Sequence, residues 1–415
     1  MSEPSATEST GKFAAETSGP LPVGARESGA SHSVELTTNI VTDIAGIRAL
    51  KPDYERLYRA TVNTLPFALQ DWHLTWCTYF LNRNPQIHDQ LLFHVLRNSA
   101  AECVAIVPLI LTRRRLGPLK LATVGLVGAD PGLTEIRSPL IEPGYERLSV
   151  RAVHESLARV PDWDWIQWNG LSAAMAEAMA CETTPQWYQT SDDYVLDLPS
   201  SWDEFRAGLK RNVRESLRHC YNSLRRDGHA FEFAVARERT EVVQSLQRFF
   251  VLHELRAKMA SGARHPNWFA GQSARDFLCD VCDRLAARDA VRVFQLRIGT
   301  EIVALRIGFV VGDGLYFYYS GFDPAWARYS VMTTTVAEAL KYAIATGLTT
   351  ANLSIGGEQS KLRWSPRLVQ FQSALVHREF LRSRIACSAY RVAMSGNGAP
   401  ARLLKSLFWA HRDWD

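Results

Sequence analysis

"AVRVFQLRIGTEIVALRIGFVV" (residues 290–311), followed almost at once by "GLYFYYSGF" (314–322), decides the fold. Two β-rich runs flank the short turn Gly299-Thr300-Glu301. Gly312-Asp313-Gly314 then reads as a second hairpin turn, so three successive strands are predicted. Earlier in the chain, "QLLFHVLRNSAAECVAIVPLILTRRR" (90–115) has the same form, two β-rich runs around a small-residue turn. Helical periodicity precedes the first hairpin in "ALQDWHLTWCTYFLNR" (68–83) and the second in "RDFLCDVCDRLAARD" (275–289). An arrangement that recurs about 200 residues on is the mark of a duplicated unit. Each half mixes hairpins with helices, which predicts an α/β (α+β) fold of two tandem domains with mixed, mostly antiparallel sheets. The hairpins 90–111 and 290–311 are expected to be equivalent parts of the two halves.

Between the hairpins, "DWDWIQWNGL" (162–171) and "YVLDLPSSW" (194–202) read as the closing strands of the first half and the approach to the second. Residues 1–35 are Ser, Thr, Ala, Gly, Glu and Pro with almost no large apolar side chain, too little to offset the entropy of ordering. The expected division is a tail over 1–38, domains over 39–195 and 196–380, and a helical tail over 381–415.

Hydrophobic residues make up 47% and charged residues 22%, and twelve Trp with eighteen Phe supply apolar area for two cores. A net charge of +4 over 415 residues gives a nucleic-acid role no support by itself. The seven cysteines are odd in number and sit mostly in apolar runs, which points to free thiols in a reducing compartment. Cys279 and Cys282 form a lone CxxC on a helical pattern with no second ligand pair, so they read as core thiols and no metal is expected. No apolar run approaches the ~20 residues of a membrane-spanning helix, and no basic-then-apolar leader opens the chain. A cytoplasmic protein is expected.

The segment "SWDEFRAGLKRNVRESLRHCYNSLRRDGHAFEF" (201–233) predicts a helix that starts at Ser201, with Glu204 completing a capping box, and ends at Gly228. Phe205, Leu209, Val213, Leu217, Cys220 and Leu224 fall within about 120° of one another on a helical wheel. Arg211, Arg214, Arg218 and Arg225 fall within about 60° on the far side. Such a stripe is either a solvated basic face or a seat for an anion, since the guanidinium fork donates two bonds at once.

These stretches, with "RFFVLHELR", "GTEIVALRIGF", "YFYYSGFDPAWARYS" and "GGEQSKLRWSP", occur in the order and spacing of one family. The second half resembles the GNAT-type acetyltransferases grouped with CelD/BcsL, associated with cellulose and exopolysaccharide biosynthesis. The tandem layout is similar to the FemAB-type peptidoglycan aminoacyl transferases and to mycothiol synthase. The resemblance spans roughly residues 60–380 and is strongest over 200–366. It implies an acyltransferase whose fourth strand, here 314–322, parts from its fifth, here 349–356, to admit an acyl thioester. It also implies that the helix after the fourth strand, here 331–347, cradles the pyrophosphate of acetyl-CoA at its N-terminus, where amides are unpaired. The residues so implicated are Arg328, Tyr329, Ser330, Val331, Met332 and Thr333, with Ser330 as N-cap. Residues 323–332 contain none of the glycines usual in that loop, and Asn352 stands where an Asp commonly opens the fifth strand.

By the same resemblance His253 and Arg256 fit a His-x-x-Arg pattern, and Gly357, Glu358, Lys361 and Trp364 fit a Gly-x-Glu-x-x-Lys-x-x-Trp-like segment. His253 and Glu358 are the candidate bases, since acyl transfer asks for positioning and a proton acceptor. Each has a plainer reading, a structural histidine and a surface carboxylate. Arg211, Arg214, Arg218, Arg256, Tyr318, Lys361 and Trp364 are the candidate substrate contacts. Tyr319 and Tyr329 are possible pocket aromatics. The expected reaction moves an acyl group, most simply acetyl from acetyl-CoA, to an amine or hydroxyl of a sugar, polysaccharide or envelope precursor. Two alternatives stand beside it: an aminoacyl-tRNA-dependent FemAB-type transferase, and a non-catalytic relative that binds polysaccharide or a partner protein. No hydrolase triad, zinc motif or nucleotide-binding loop stands in a suitable context.

Overall fold

The β-rich runs read above become strand after strand in the computed structural model, which describes residues 35–61, 65–116, 118–130, 132–259, 265–396 and 398–409. The first half contributes β1 (Thr37–Val41), β2 (Ile87–Arg97), β3 (Cys103–Leu116), β4 (Leu119–Leu126), the two-residue β5 (Leu140–Ile141), β6 (Trp165–Leu171) and β7 (Gln186–Asp197). The second contributes β8 (Phe231–Ala236), β9 (Val291–Ile298), β10 (Glu301–Val311), β11 (Gly314–Phe322), β12 (Thr350–Ile355) and β13 (Arg367–His377). One sheet runs β1-β2-β3-β4-β6-β13-β7-β12-β11-β10-β9-β8, with β5 on β3.

Each half repeats a single course. Four strands meander antiparallel, β1 to β4 and β8 to β11, and a fifth joins parallel, β6 on β4 and β12 on β11. The hairpins β2–β3 and β9–β10 therefore occupy the same place in the two half-sheets. The next strand of each half then crosses over. β7 follows β6 in the chain but lies against β12, while β13 follows β12 but lies against β6. β7 and β13 pair with each other from Arg367↔Val195 to Leu375↔Gln186. Neither half closes its sheet with its own strand.

Aromatic packing joins the halves on one face. Trp72, in the helix Gln70–Phe80, sets its ring edge-on to Phe277 at 5.2 Å and to Tyr318 at 5.9 Å, and all three are buried. Cys282 is buried and Cys279 half-buried on the helix Gln272–Ala286, and burial lifts both thiols above their usual range, Cys279 to about 11. The helix Arg239–Ala257 presses on β11 where Gly321 has no side chain; a Cβ there would stand 2.5 Å from the His253 nitrogen. The helices Leu381–Ser395 and Ala399–Trp409 cover the other face, where Tyr390 and Phe408 pack on Trp165.

The arginine segment is two helices rather than one. Ser201 caps Trp202–Gly208 by accepting from the Glu204 amide at 3.2 Å, the chain becomes extended at Leu209, and Arg211–Arg226 begins anew. The six apolar residues read from the wheel are all buried, so the break keeps one apolar face on the core. Gly228, at φ 75°, ends the second helix, and the His229 amide returns to the Leu224 carbonyl at 2.8 Å. Residues 1–34 of the expected tail lie outside the described residues. Among the described residues no helix is long and apolar enough to cross a membrane.

Candidate functional site

β11 and β12 pair over only three positions, Gly314↔Thr350 to Tyr316↔Asn352, and then part. Asn352 bends the strand. Its amide nitrogen donates to Asp193 Oδ2 at 2.7 Å, and its carbonyl accepts from the Ser354 amide at 2.7 Å, holding Ser354 in the left-handed region at φ 68°. The carboxylate absent from position 352 is thus carried by β7, the exchanged strand. Asp193 is 1% exposed, and burial lifts its carboxyl to about 6.

The parted strands open into a cleft of about 740 Å³ between the halves. The first half has the matching feature, for β4 and β6 also pair over three positions, Thr123↔Trp165 to Gly125↔Gln167. There Tyr390, Met394 and Phe408 crowd the gap and leave about 80 Å³. The open gap belongs to the second half.

One wall comes from the first half. Asp130 Oδ1 accepts from the amides of Gly132, Leu133 and Thr134 at 3.0, 2.6 and 3.0 Å, winding the chain into a tight loop. Tyr319 and Tyr318 hold that loop from β11, donating to the carbonyls of Gly132 and Leu133, each at 2.6 Å. The loop delivers Glu135 to the cleft, where the Tyr316 hydroxyl donates to its carboxylate. Burial raises the Glu135 carboxyl to about 7, against the Tyr316 hydrogen bond and the charges of Lys361 and Arg306, which lower it.

Opposite stand cations. Arg306 lies over the Phe317 ring at 4.8 Å, its Nε has no partner among the described residues, and burial lowers it to about 10. Arg256 donates to Ser320 Oγ at 2.7 Å and to His265 at 2.9 Å. Lys361 Nζ meets Glu358 Oε2 at 3.0 Å and Ser354 Oγ at 3.1 Å. Burial would lift the Glu358 carboxyl, but Lys361 outweighs it and holds the group below its usual range.

Arg256, Tyr318, Glu358 and Lys361, all singled out from sequence, line this cleft together. His253 does not. It is 4% exposed among Phe249, Phe269 and Tyr319, its Nδ1 meets the Ser320 carbonyl at 3.0 Å, and burial lowers its pKa. Trp364 is also core, 3% exposed and stacked on Phe205. Sequence reasoning missed Glu135 and Arg306. Among the described residues no group of three or more His, Cys, Asp or Glu is placed to hold a metal ion.

After β11, a 3₁₀ turn over Pro324–Tyr329 leads into the helix Val331–Ala345. Ser330 occupies the N-cap position at φ 53°, a left-handed conformation that favours glycine, and its side chain makes no capping bond. The amides of Thr333 and Thr334 point at the Ser330 carbonyl at 2.8 and 3.3 Å, while those of Val331 and Met332 are the first of the helix. Arg363 stands beside this end, donating to Thr333 Oγ1 at 3.3 Å and to Ser216 Oγ at 2.7 Å. Helix end and guanidinium fit a diphosphate. Arg328 lies over the Tyr329 ring at 4.6 Å and 4.0 Å from Asp227. The Tyr329 hydroxyl itself donates to Asp227 at 3.0 Å. Of the stripe, Arg211 pairs with Glu215 at 2.7 Å, Arg214 donates to the Ala207 carbonyl at 2.9 Å, and Arg218 and Arg225 are exposed.

Residues 211–362 match the model of an acetyltransferase (GNAT) domain family. No curated protein matches the chain. Among solved structures, FemX is similar at a TM-score of 0.54 and 10% identity, over 78% of this chain and 95% of that one. A conserved protein of unknown function from Bacteroides thetaiotaomicron gives 0.48 at 12% identity, over 81% and 100%. A tandem GNAT protein from the clavulanic acid biosynthesis pathway gives 0.43 at 11%, over 83% and 100%. The likeness to FemX bears on the fold alone; the matched stretch, 211–362, contains both β11 and β12.

Proposed function

We propose that this chain is an acyltransferase, taking an acyl group, acetyl in the simplest case, from a coenzyme A thioester and passing it to an amine or hydroxyl in the cleft between the halves. The observation that carries this reading is the parting of β11 from β12 into a cleft where Glu135, with its carboxyl raised to about 7, faces Arg256, Arg306 and Lys361. A carboxylate that titrates near neutrality is suited to take a proton from the attacking group. The acceptor nitrogen or oxygen bonds to the thioester carbonyl carbon, Glu135 takes the proton it loses, and the carbon–sulfur bond breaks to release the coenzyme thiolate, which takes that proton back from Glu135 and leaves as the thiol. Tyr318 and Tyr319 are occupied by the loop carbonyls and act by holding Glu135 in place. The diphosphate is read onto the amides of Val331 and Met332 with Arg363 beside them.

Three cations against Glu135 and Glu358 favour an acceptor that carries an anionic group, such as an acidic sugar or a phosphorylated envelope precursor. Thiol release from acetyl-CoA, measured against a panel of amino sugars with and without carboxylate or phosphate, tests the proposal. Release that depends on an anionic acceptor supports it; binding of acetyl-CoA with no transfer to any acceptor counts against catalysis. A second reading, an aminoacyl-tRNA donor, is favoured by the glycine-free loop and by Arg211, Arg218 and Arg225 on the exposed face of Arg211–Arg226. Calorimetry that finds no affinity for acetyl-CoA and tight, salt-sensitive affinity for tRNA would establish that reading in place of the first.

A further inference from the structure

The four most exposed large hydrophobic side chains among the described residues lie together in sequence: Leu381 at 70%, Leu403 at 65%, Phe380 at 64% and Ile385 at 62%. Val392, on the same helix as Leu381 and Ile385, is 47% exposed. On the helix Leu381–Ser395, the positions of Leu381, Ile385 and Val392 fall within about 40° of one another at 100° per residue. The same helix buries Ser383, Cys387, Tyr390 and Ala393 on its opposite side. It is therefore apolar on two faces, one against β6 and β13 and one toward solvent. Packing explains the first face. Nothing in the fold requires the second.

Its charge is one-sided. Residues 379–409 hold Arg382, Arg384, Arg391, Arg402 and Lys405 against Glu379 alone. Arg382 is committed to the buried Asp164 at 2.9 Å. Arg384, Arg391, Arg402 and Lys405 are exposed, and Arg384 and Arg391 lie on one flank of the apolar stripe. A second copy of the chain laid on this face would bring like charges together. An acidic protein would complement the basic charge but leave Phe380, Leu381 and Ile385 a demand for a matching apolar groove. A lipid surface needs no such match, because side chains of this kind enter the acyl boundary while flanking Arg and Lys reach the headgroups.

We infer that the Leu381–Ser395 helix, with Phe380 before it, is a docking surface that lies in the plane of a membrane containing anionic lipid. Attachment of this kind is peripheral and reversible, driven by apolar burial and by attraction between basic side chains and acidic headgroups.

Sedimentation of the full chain with vesicles of mixed phosphatidylglycerol and phosphatidylcholine, and with phosphatidylcholine vesicles alone, tests the inference. Binding to the anionic vesicles is expected, weakened by added salt and weaker on the neutral ones. Leu381→Asp with Ile385→Asp should lower vesicle affinity by about tenfold or more while leaving the unfolding midpoint unchanged, since both side chains face solvent. Arg384→Glu with Lys405→Glu should lower it on anionic vesicles only. Equal pelleting with and without vesicles overturns the inference, as does binding that the Asp variants leave intact. Self-association of the parent that the Asp variants abolish, without vesicle binding, would assign the face to a second copy and overturn it equally.

Discussion

The Tyr316 hydroxyl donates a hydrogen bond to the Glu135 carboxylate, joining residues 181 positions apart across the seam between the two halves. That bond favours the charged carboxylate, while burial, the larger influence, favours the neutral acid at a pKa of about 7. If Glu135 is the proton acceptor, transfer rises as pH climbs through about 7, because only the deprotonated form can accept. Tyr316→Phe removes an influence that lowers the pKa, so the rising limb should move to higher pH. Glu135→Gln should abolish the limb and cut kcat by about 10²–10⁴. A pH–rate profile for each variant is the check, and a parent profile flat between pH 5 and 9 would remove Glu135 from the chemistry.

Much of this molecule was legible in its sequence. The hairpin pattern fixed the duplication, and Arg256, Tyr318, Glu358 and Lys361 do converge on one cleft. Glu135 was not legible, because its role depends on a loop wound around Asp130 and held by tyrosines far away in sequence. Nor was the exchange of β7 and β13, since strand periodicity says nothing of which sheet edge a strand will join. His253 and Trp364 show the converse: a motif match names a residue but not the side from which it is reached, and both face the core. The break at Leu209–Lys210 escaped notice because two helices sharing one apolar face keep the periodicity of one.

Two arginines near the helix Val331–Ala345 differ in their surroundings. Arg363 stands at the N-terminus of Val331–Ala345, whereas Arg328 leans on Tyr329 and Asp227. Arg363→Ala is expected to weaken acetyl-CoA binding by about 1.5–3 kcal/mol, the range of a charge-assisted bond. Arg328→Ala should change it by much less. Calorimetry on the two variants decides, and the reverse order would move the diphosphate toward the Arg328 side.

Gly321 sets how closely the Arg239–Ala257 helix approaches β11. A Cβ would stand 2.5 Å from the His253 nitrogen and 2.6 Å from the Leu252 carbonyl carbon, both backbone atoms that cannot step aside alone. Gly321→Ala should destabilise the fold by about 1–3 kcal/mol through overpacking. It should also shift Tyr319, whose ring sits on His253, and with it the loop that carries Glu135. Denaturant unfolding measures the first effect, and a variant as stable as its parent would show that the helix has room to move.

Asn352 stands where the resemblance implies an Asp, and the exchanged strand β7 supplies a physical reason for it. Its nitrogen donates to Asp193 Oδ2 at 2.7 Å in a site where Asp193 is 1% exposed. Asn352→Asp would set two carboxyl groups at hydrogen-bonding distance, and like charges so close cannot both ionise without cost. One must keep its proton, so its folded pKa rises above its unfolded value. A carboxyl raised in this way contributes stability that is present in full below the unfolded pKa and is lost as pH climbs through the folded one. Asp193, lifted to about 6, already gives the parent a mild loss of this sign. The variant should therefore fall further behind its parent between pH 5 and pH 8, by about 1–3 kcal/mol at the upper end. Exchanging the pair, Asn352→Asp with Asp193→Asn, restores one donor facing one carboxylate and should recover most of the deficit. Thermal unfolding of the three chains at both pH values is the measurement. A deficit independent of pH, or one the exchange fails to repair, would mean that Asn352 acts through the Ser354 turn alone.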